Sequence, residues 1–215
     1  MNLAEESSAK VAEFLLQIKA VQLSPQKPFK WASGWNSPIY CDNRKTLSYP
    51  MIRNFIRQQF VQTIEATYGK PDVIAGVATG GIAQAALVAQ DLGIPMIYVR
   101  PEPKGHGLTN QIEGVVESGQ NVVVIEDLIS TGGSSLKAVK ALRDAGCNVK
   151  GLIAIFTYGF QLASDAFEEN NCPFQTLSHY DALIKQAIES KHIQEKDLES
   201  LSEWRKNPGA WAPTT

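Results

Sequence analysis

Between residues 73 and 169 the chain repeats one pattern: short unbroken apolar runs at 73–77, 96–99, 122–125 and 152–156, three of them followed by a glycine-containing or small-residue turn and a helical pattern. The helical stretches cover 82–92, 136–145 and 161–169. Strands that are apolar on both sides need covering on both sides, and strands alternating with helices pair in parallel. The expected fold is α/β, a central mostly parallel sheet flanked by helices. Ligands of such sheets collect at the carboxyl ends of the strands, so the turns after residues 77, 99 and 125 deserve the closest reading.

The flanking segments obey other periods. Val11, Phe14, Leu15 and Ile18 recur at helical spacing and form one apolar stripe. Residues 29–41 mix Trp31, Trp35, Ile39 and Tyr40 with Ser, Gly and Pro, which predicts short extended pieces joined by turns. Ser48 is expected to cap a helix reaching Tyr68, with Pro50 in its first turn and Gly69 as its stop signal. Residues 178–205 read as two helices, and the tail after Asn207 as irregular. No repeat or linker divides the 215 residues, so one domain, 1–215, is expected.

Charge and cysteine usage exclude several classes. A formal net charge of −2 gives no global attraction to nucleic acid or to an anionic membrane. Cys41, Cys147 and Cys172 are odd in number and contain no C-x-x-C pair, which argues against both a disulfide framework and a zinc site. The apolar stretch 11–18 is broken by Glu13 and Gln17 and lacks the flanks of a secretory leader. A soluble, cytoplasmic protein binding neither nucleic acid nor membrane is the expectation.

Three segments can carry chemistry. The first follows the apolar run 122–125 and reads Glu126-Asp127-Leu128-Ile129-Ser130-Thr131-Gly132-Gly133-Ser134. Gly132 and Gly133 allow close backbone approach, amide groups at a helix start attract phosphate, and Ser130, Thr131 and Ser134 add hydroxyl donors. Glu126 and Asp127 would repel a phosphate, but they suit ribose hydroxyls, so the segment reads a phosphorylated sugar. A tight turn with a capping serine explains the glycines and not the two acids. The second segment, residues 76–81, follows another buried strand and contains Thr79 and Gly80. It offers a second anion cradle beside the first, although glycine in such a turn is weak evidence alone. The third, residues 98–107, spaces Arg100, Lys104 and His106 among Pro and Gly, as a cationic lid closing over a leaving phosphate would.

The first of these segments resembles the phosphoribosyl pyrophosphate (PRPP) motif of type I phosphoribosyltransferases, in which four apolar residues precede two acids and a small-residue loop. Within that family, the stretch 29–44 (FKWASGWNSPIYCDNR), the lid continuing to Gln111-Ile112-Glu113-Gly114, and the ending Glu203-Trp204-Arg205-Lys206-Asn207-Pro208 are similar to the orotate phosphoribosyltransferases. Purine-specific relatives lack the SG-x-x-SP-x-Y segment. The resemblance implies transfer of ribose 5-phosphate from PRPP to orotate in pyrimidine biosynthesis, with Mg²⁺ held by substrate oxygens rather than by protein ligands. By the same resemblance, PRPP is bound by residues 126–134, Thr79, Gly80, Arg100, Lys104 and His106, and Lys104, His106 and Asp127 act in catalysis. Ser33, Gly34, Tyr40 and Cys41 would build a hood over the base, contributed by about residues 1–45 with the C-terminal helices, and Ser130 would touch orotate. A homodimer whose lid reaches the neighbouring site is also implied.

The chain departs from the family at four places. Pro101 follows the lid arginine where many members have a second basic residue. Ala32 and Gly80 stand where some carry lysine, and some have an arginine near Tyr158. The rival readings are a purine phosphoribosyltransferase and a non-catalytic PRPP-binding regulator. His179 and His192 read as surface or capping residues, and Trp204 and Trp211 as packing residues.

Overall fold

The computed structural model of the chain describes residues 3–102 and 111–212. In order, the first half contains α1 (Leu3–Gln17), β1 (Val21–Leu23), β2 (Phe29–Lys30), β3 (Asn36–Ser37), β4 (Ile39–Cys41), a 3-10 helix (Asn43–Ser48), α2 (Pro50–Tyr68), β5 (Val73–Val77), α3 (Gly80–Leu92) and β6 (Met96–Val99). There follow β7 (Ile112–Glu113), β8 (Asn121–Ile129), α4 (Gly133–Asp144), β9 (Asn148–Thr157), α5 (Gln161–Glu169), β10 (Phe174–His179), α6 (Tyr180–Glu189), a second 3-10 turn (Glu195–Asp197) and α7 (Leu198–Lys206).

The central sheet has the order β10-β9-β8-β5-β6-β7, parallel throughout except for β7. Alternation along each strand divides its side chains between two cores. Val73, Ala75, Val77, Val122 and Val124 face one, together with Ala138 and Leu142 of α4 and Phe167 of α5. Ile74, Val123 and Ile125 face the other, against Leu15 of α1, Ile56 and Phe60 of α2 and Val88 of α3. The continuous apolar runs are the direct result of this two-sided burial. In α2 the buried residues Ile52, Ile56, Phe60 and Ile64 recur every four positions and form the stripe that docks on the sheet.

Three expectations need correction. Ser48 does not cap α2: it closes the preceding 3-10 helix, and Tyr49 takes the N-cap position with Pro50 at the first turn. The acids do not end the strand, because β9 runs to Thr157 and its ladder carries β8 through Glu126, Leu128 and Ile129. Finally, β10 was not expected. It is an edge strand whose only fully apolar interior residue is Leu177, too little for a legible period, and it pushes the start of α6 from 178 to Tyr180.

The small strands β2 and β3 form a hairpin that carries Trp31 onto the C-terminal helices. There Trp204, fully buried, packs against Trp31, Tyr158, Phe160 and Tyr180 with ring centroids 5.2–5.8 Å apart. The last helix is therefore the floor on which the hairpin rests. Trp204→Ala is expected to cost about 3–5 kcal/mol in urea unfolding; a loss below about 1 kcal/mol would contradict this packing role.

Candidate active site

At the carboxyl ends of β5 and β8, two turns and one segment of the hood enclose a cavity of about 470 Å³. Its walls include Thr79 and Gly80 from the first turn, Asp127, Ser130, Thr131, Gly132 and Ser134 from the second, and Asp42 and Arg44 from the hood. The adjacency of the two turns follows from the pairing of β5 with β8. Gly80 is required by contact: a Cβ there would overlap the Asp127 carboxyl group. Gly132 is required by conformation, since its φ of 82° is left-handed and a Cβ would press on the Phe167 ring. It caps α4, whose first-turn residues Ser134 and Ser135 line the cavity, and the first amide groups of a helix lack helical partners, as an anion prefers.

The two acids have different surroundings although they are neighbours. Glu126 is buried, one oxygen accepting the Asp127 N–H at 2.9 Å and the other the Ser135 hydroxyl at 3.1 Å. Burial, and then the nearby Asp127, push its carboxyl far above the ordinary range, to about 9, so it keeps its proton at neutral pH. Asp127 is partly exposed in the cavity wall and presents its carboxylate beside Gly80.

The burial of Glu126 has a consequence for stability. Between the ordinary glutamate range and about pH 9 the folded chain holds a proton that the unfolded chain has lost, so stability falls as pH rises through that window. Glu126→Gln removes this dependence. Its melting temperature is expected to gain on the parent's steadily from pH 5 to pH 9. A constant difference across that range would show that Glu126 is charged in the fold.

A second cavity of about 450 Å³ adjoins the first and shares Cys41, Leu128, Ser130 and Thr131 with it. Its other walls are mostly aromatic: Trp31, Trp35, Tyr40 and Tyr158, with Ala32, Ser33 and the exposed Lys30. Trp31 and Tyr158 are 5.0 Å apart, and the Trp31 indole N–H donates to the Ile39 carbonyl at 3.0 Å, which fixes the wall. Burial raises the Tyr158 hydroxyl and the Cys41 thiol alike, the thiol further through Asp127 and Asp42, so both stay protonated. A polar cavity for an anionic sugar thus opens onto a flat-walled one for a ring.

Of the residues singled out from the sequence, Thr79, Gly80, Glu126, Asp127, Leu128, Ser130, Thr131, Gly132 and Ser134 line the first cavity. Ser33, Tyr40, Cys41 and again Ser130 line the second. Ile129 does neither; it is fully buried in the core shared with α4 and α5. Gly133 is exposed at the first position of α4, outside the lining, and Gly34 makes the turn of the hairpin, its N–H bonded to the Trp31 carbonyl at 2.9 Å. Arg100 lies at the end of β6, 3.5 Å from Glu113 of β7. Lys104 and His106 lie outside the described residues. The pairing of Val99 with Ile112 nevertheless brings the two ends of their segment together at the sheet edge. Sequence reasoning assigned no role to Asp42, Arg44, Trp31, Trp35 or Tyr158. An acid and an arginine two residues apart in the hood were the one available signal.

The chain is similar to known proteins along most of its length. A family model for the phosphoribosyl transferase domain matches residues 49–180. The orotate phosphoribosyltransferase of Cytophaga hutchinsonii is 57% identical over 201 residues, covering 94% of this chain and 96% of its own. That of Bacteroides thetaiotaomicron is 54% identical over 200 residues, 93% of this chain and 94% of its own. The crystal structure of orotate phosphoribosyltransferase from Aeropyrum pernix superposes with a TM-score of 0.74 at 28% identity, covering 82% of this chain and 97% of that one.

Proposed function

Because the chain belongs to the phosphoribosyl transferase family and, within it, to the orotate phosphoribosyltransferases, we propose that it transfers ribose 5-phosphate from PRPP to orotate, giving orotidine 5′-monophosphate and pyrophosphate for pyrimidine synthesis. The observation that carries the reading is the junction of a polar, helix-capped cavity with an aromatic one along the shared edge of Ser130 and Thr131. A donor in the first cavity and a planar base in the second would meet there.

In the reaction N1 of orotate bonds to C1 of the ribose as the C1–oxygen bond to pyrophosphate breaks, the electron pair leaving with pyrophosphate and the N1 proton being released. No covalent enzyme intermediate is needed. The protein orients the sugar and offsets charge on the leaving group. Asp127 holds ribose hydroxyls, with Glu126 behind it as the group that accepts its N–H. The start of α4 with Ser130, Thr131 and Ser134 takes the 5-phosphate. Thr79 and Gly80 line the diphosphate end. Arg100, Lys104 and His106 close over it. Ser33, Gly34, Tyr40, Cys41 and Ser130 enclose the base.

Among the described residues no group of three His, Cys, Asp or Glu could cage a metal ion. The hydroxyl and carboxylate lining suits a hard cation, and Mg²⁺ would be held chiefly by phosphate and ribose oxygens, with Asp127 the lining carboxylate available to it. When bound it supplies neutralisation of the diphosphate charge. A homodimer in the cytoplasm, with the segment after Arg100 reaching the partner's site, belongs to the same proposal. Three free cysteines are consistent with a reducing compartment, and exposed Tyr49 and Met51 offer apolar surface for a second copy. No described helix is long and apolar enough to cross a membrane.

The reading is tested by mixing protein, PRPP, Mg²⁺ and orotate and following orotate absorbance. Absorbance is expected to fall only when all four are present. No fall under any condition would overturn the proposed activity.

A further inference from the structure

The cavity that receives the donor is poor in positive charge. Among the described lining residues Asp42, Glu126 and Asp127 bring carboxyl groups, and Arg44 is the one cation. Its Nε donates to the Asp42 carboxylate at 2.7 Å, and neither terminal nitrogen has a partner among the described residues. Asp42 thus holds the guanidinium in place while leaving its fork of donors available.

The backbone beneath this pair is firmly anchored. Asn43, between Asp42 and Arg44, is buried at 1% exposure, and its Nδ2 donates to the Asp127 carbonyl at 2.6 Å. Its Oδ1 accepts the Cys41 thiol at 3.1 Å, and its carbonyl accepts the Thr46 hydroxyl at 2.6 Å. Gln84 of α3 in turn donates to Thr46 at 3.3 Å, so the anchor reaches the helix that follows the Thr79–Gly80 turn. A surface arginine with so rigid a base is suited to a ligand rather than to solvent.

We infer that Arg44 is a further donor-binding residue of this enzyme, contacting the diphosphate of PRPP with its terminal nitrogens while Asp42 positions it. The inference rests on the function proposed above and assigns a residue to it. The diphosphate is the group chosen because Arg44 shares this cavity with Thr79 and Gly80, and the adjoining Asn43 is bonded to Asp127, whose carboxyl fills the space beside Gly80. That is the Thr79 end of the cavity. The 5-phosphate already has the unpaired amides of α4.

The test is calorimetric titration of Mg²⁺-PRPP and of inorganic pyrophosphate into the full-length parent, Arg44→Ala and Arg44→Lys, with the Michaelis constants for PRPP and orotate measured separately. Arg44→Ala is expected to weaken PRPP and pyrophosphate by about 10- to 100-fold and to leave the Michaelis constant for orotate within about twofold, with partial recovery in Arg44→Lys. Binding of both ligands within about twofold of the parent, or an equal loss for orotate, would overturn the assignment. A parent that binds no PRPP and consumes no orotate would instead overturn the proposed function. Unchanged melting of the unliganded variants separates either result from misfolding.

Discussion

Asp127→Asn is expected to lower kcat with orotate by about 100- to 1000-fold, with the Michaelis constant for orotate within about twofold of the parent. Asparagine keeps the shape and the hydrogen-bonding reach of the side chain beside Gly80, so the cavity stays open. What disappears is the negative charge held against the ribose as its ring carbon becomes electron-poor. That charge matters more in the transition state than in the bound substrate, so the loss falls on kcat. The neighbouring Glu126 supplies an internal control. It already keeps its proton, with one oxygen on the Asp127 amide and the other on Ser135, so Glu126→Gln should retain most of the activity. Similar large losses in both variants would show that the two acids share one role.

The second large effect is expected at Lys104. Lys104→Ala should lower kcat by about 100-fold or more, because it removes a cation from the departing pyrophosphate at the moment its charge develops. Lys104 lies outside the described residues, and the prediction rests on the residues that flank its segment: Val99 pairs with Ile112, and the Arg100 N–H donates to the Gln111 carbonyl at 2.9 Å. The melting temperature should remain within about 2 °C of the parent if the lysine acts on the reaction and not on the fold. Full turnover in Lys104→Ala would remove the lid from the mechanism. A large drop in melting temperature would make the lysine a structural residue.

The parallel sheet was legible because its strands are buried on both faces, and such strands appear in the sequence as unbroken runs: 73–77 and 96–99 coincide with β5 and β6. The phosphate-type turns were legible because glycine marks them, although only the left-handed backbone at Gly132 is a local demand and the space left by Gly80 serves the distant Asp127. What was not legible depends on long-range pairing. Nothing local says that β8 continues through Glu126; the partner residues on β9 decide it. Glu126 and Asp127 look equivalent in sequence, yet the burial of the strand and the nearness of the second carboxyl make one a neutral internal group and leave the other in the cavity wall. The aromatic wall was hidden because Trp31 and Tyr158 are distant in the chain and meet only in the fold, directly and with Trp204 against both. Arg44 was hidden because its significance lies in the Asn43 anchor to Asp127.

The aromatic cavity is expected to select orotate for the ribose 5-phosphate held next to it. This selection is tested most directly by offering equal concentrations of orotate, adenine and hypoxanthine together to the enzyme with limiting Mg²⁺-PRPP, and resolving the nucleotides by chromatography. Orotidine 5′-monophosphate as essentially the sole product is the predicted result, and adenosine or inosine monophosphate as the main product would contradict it.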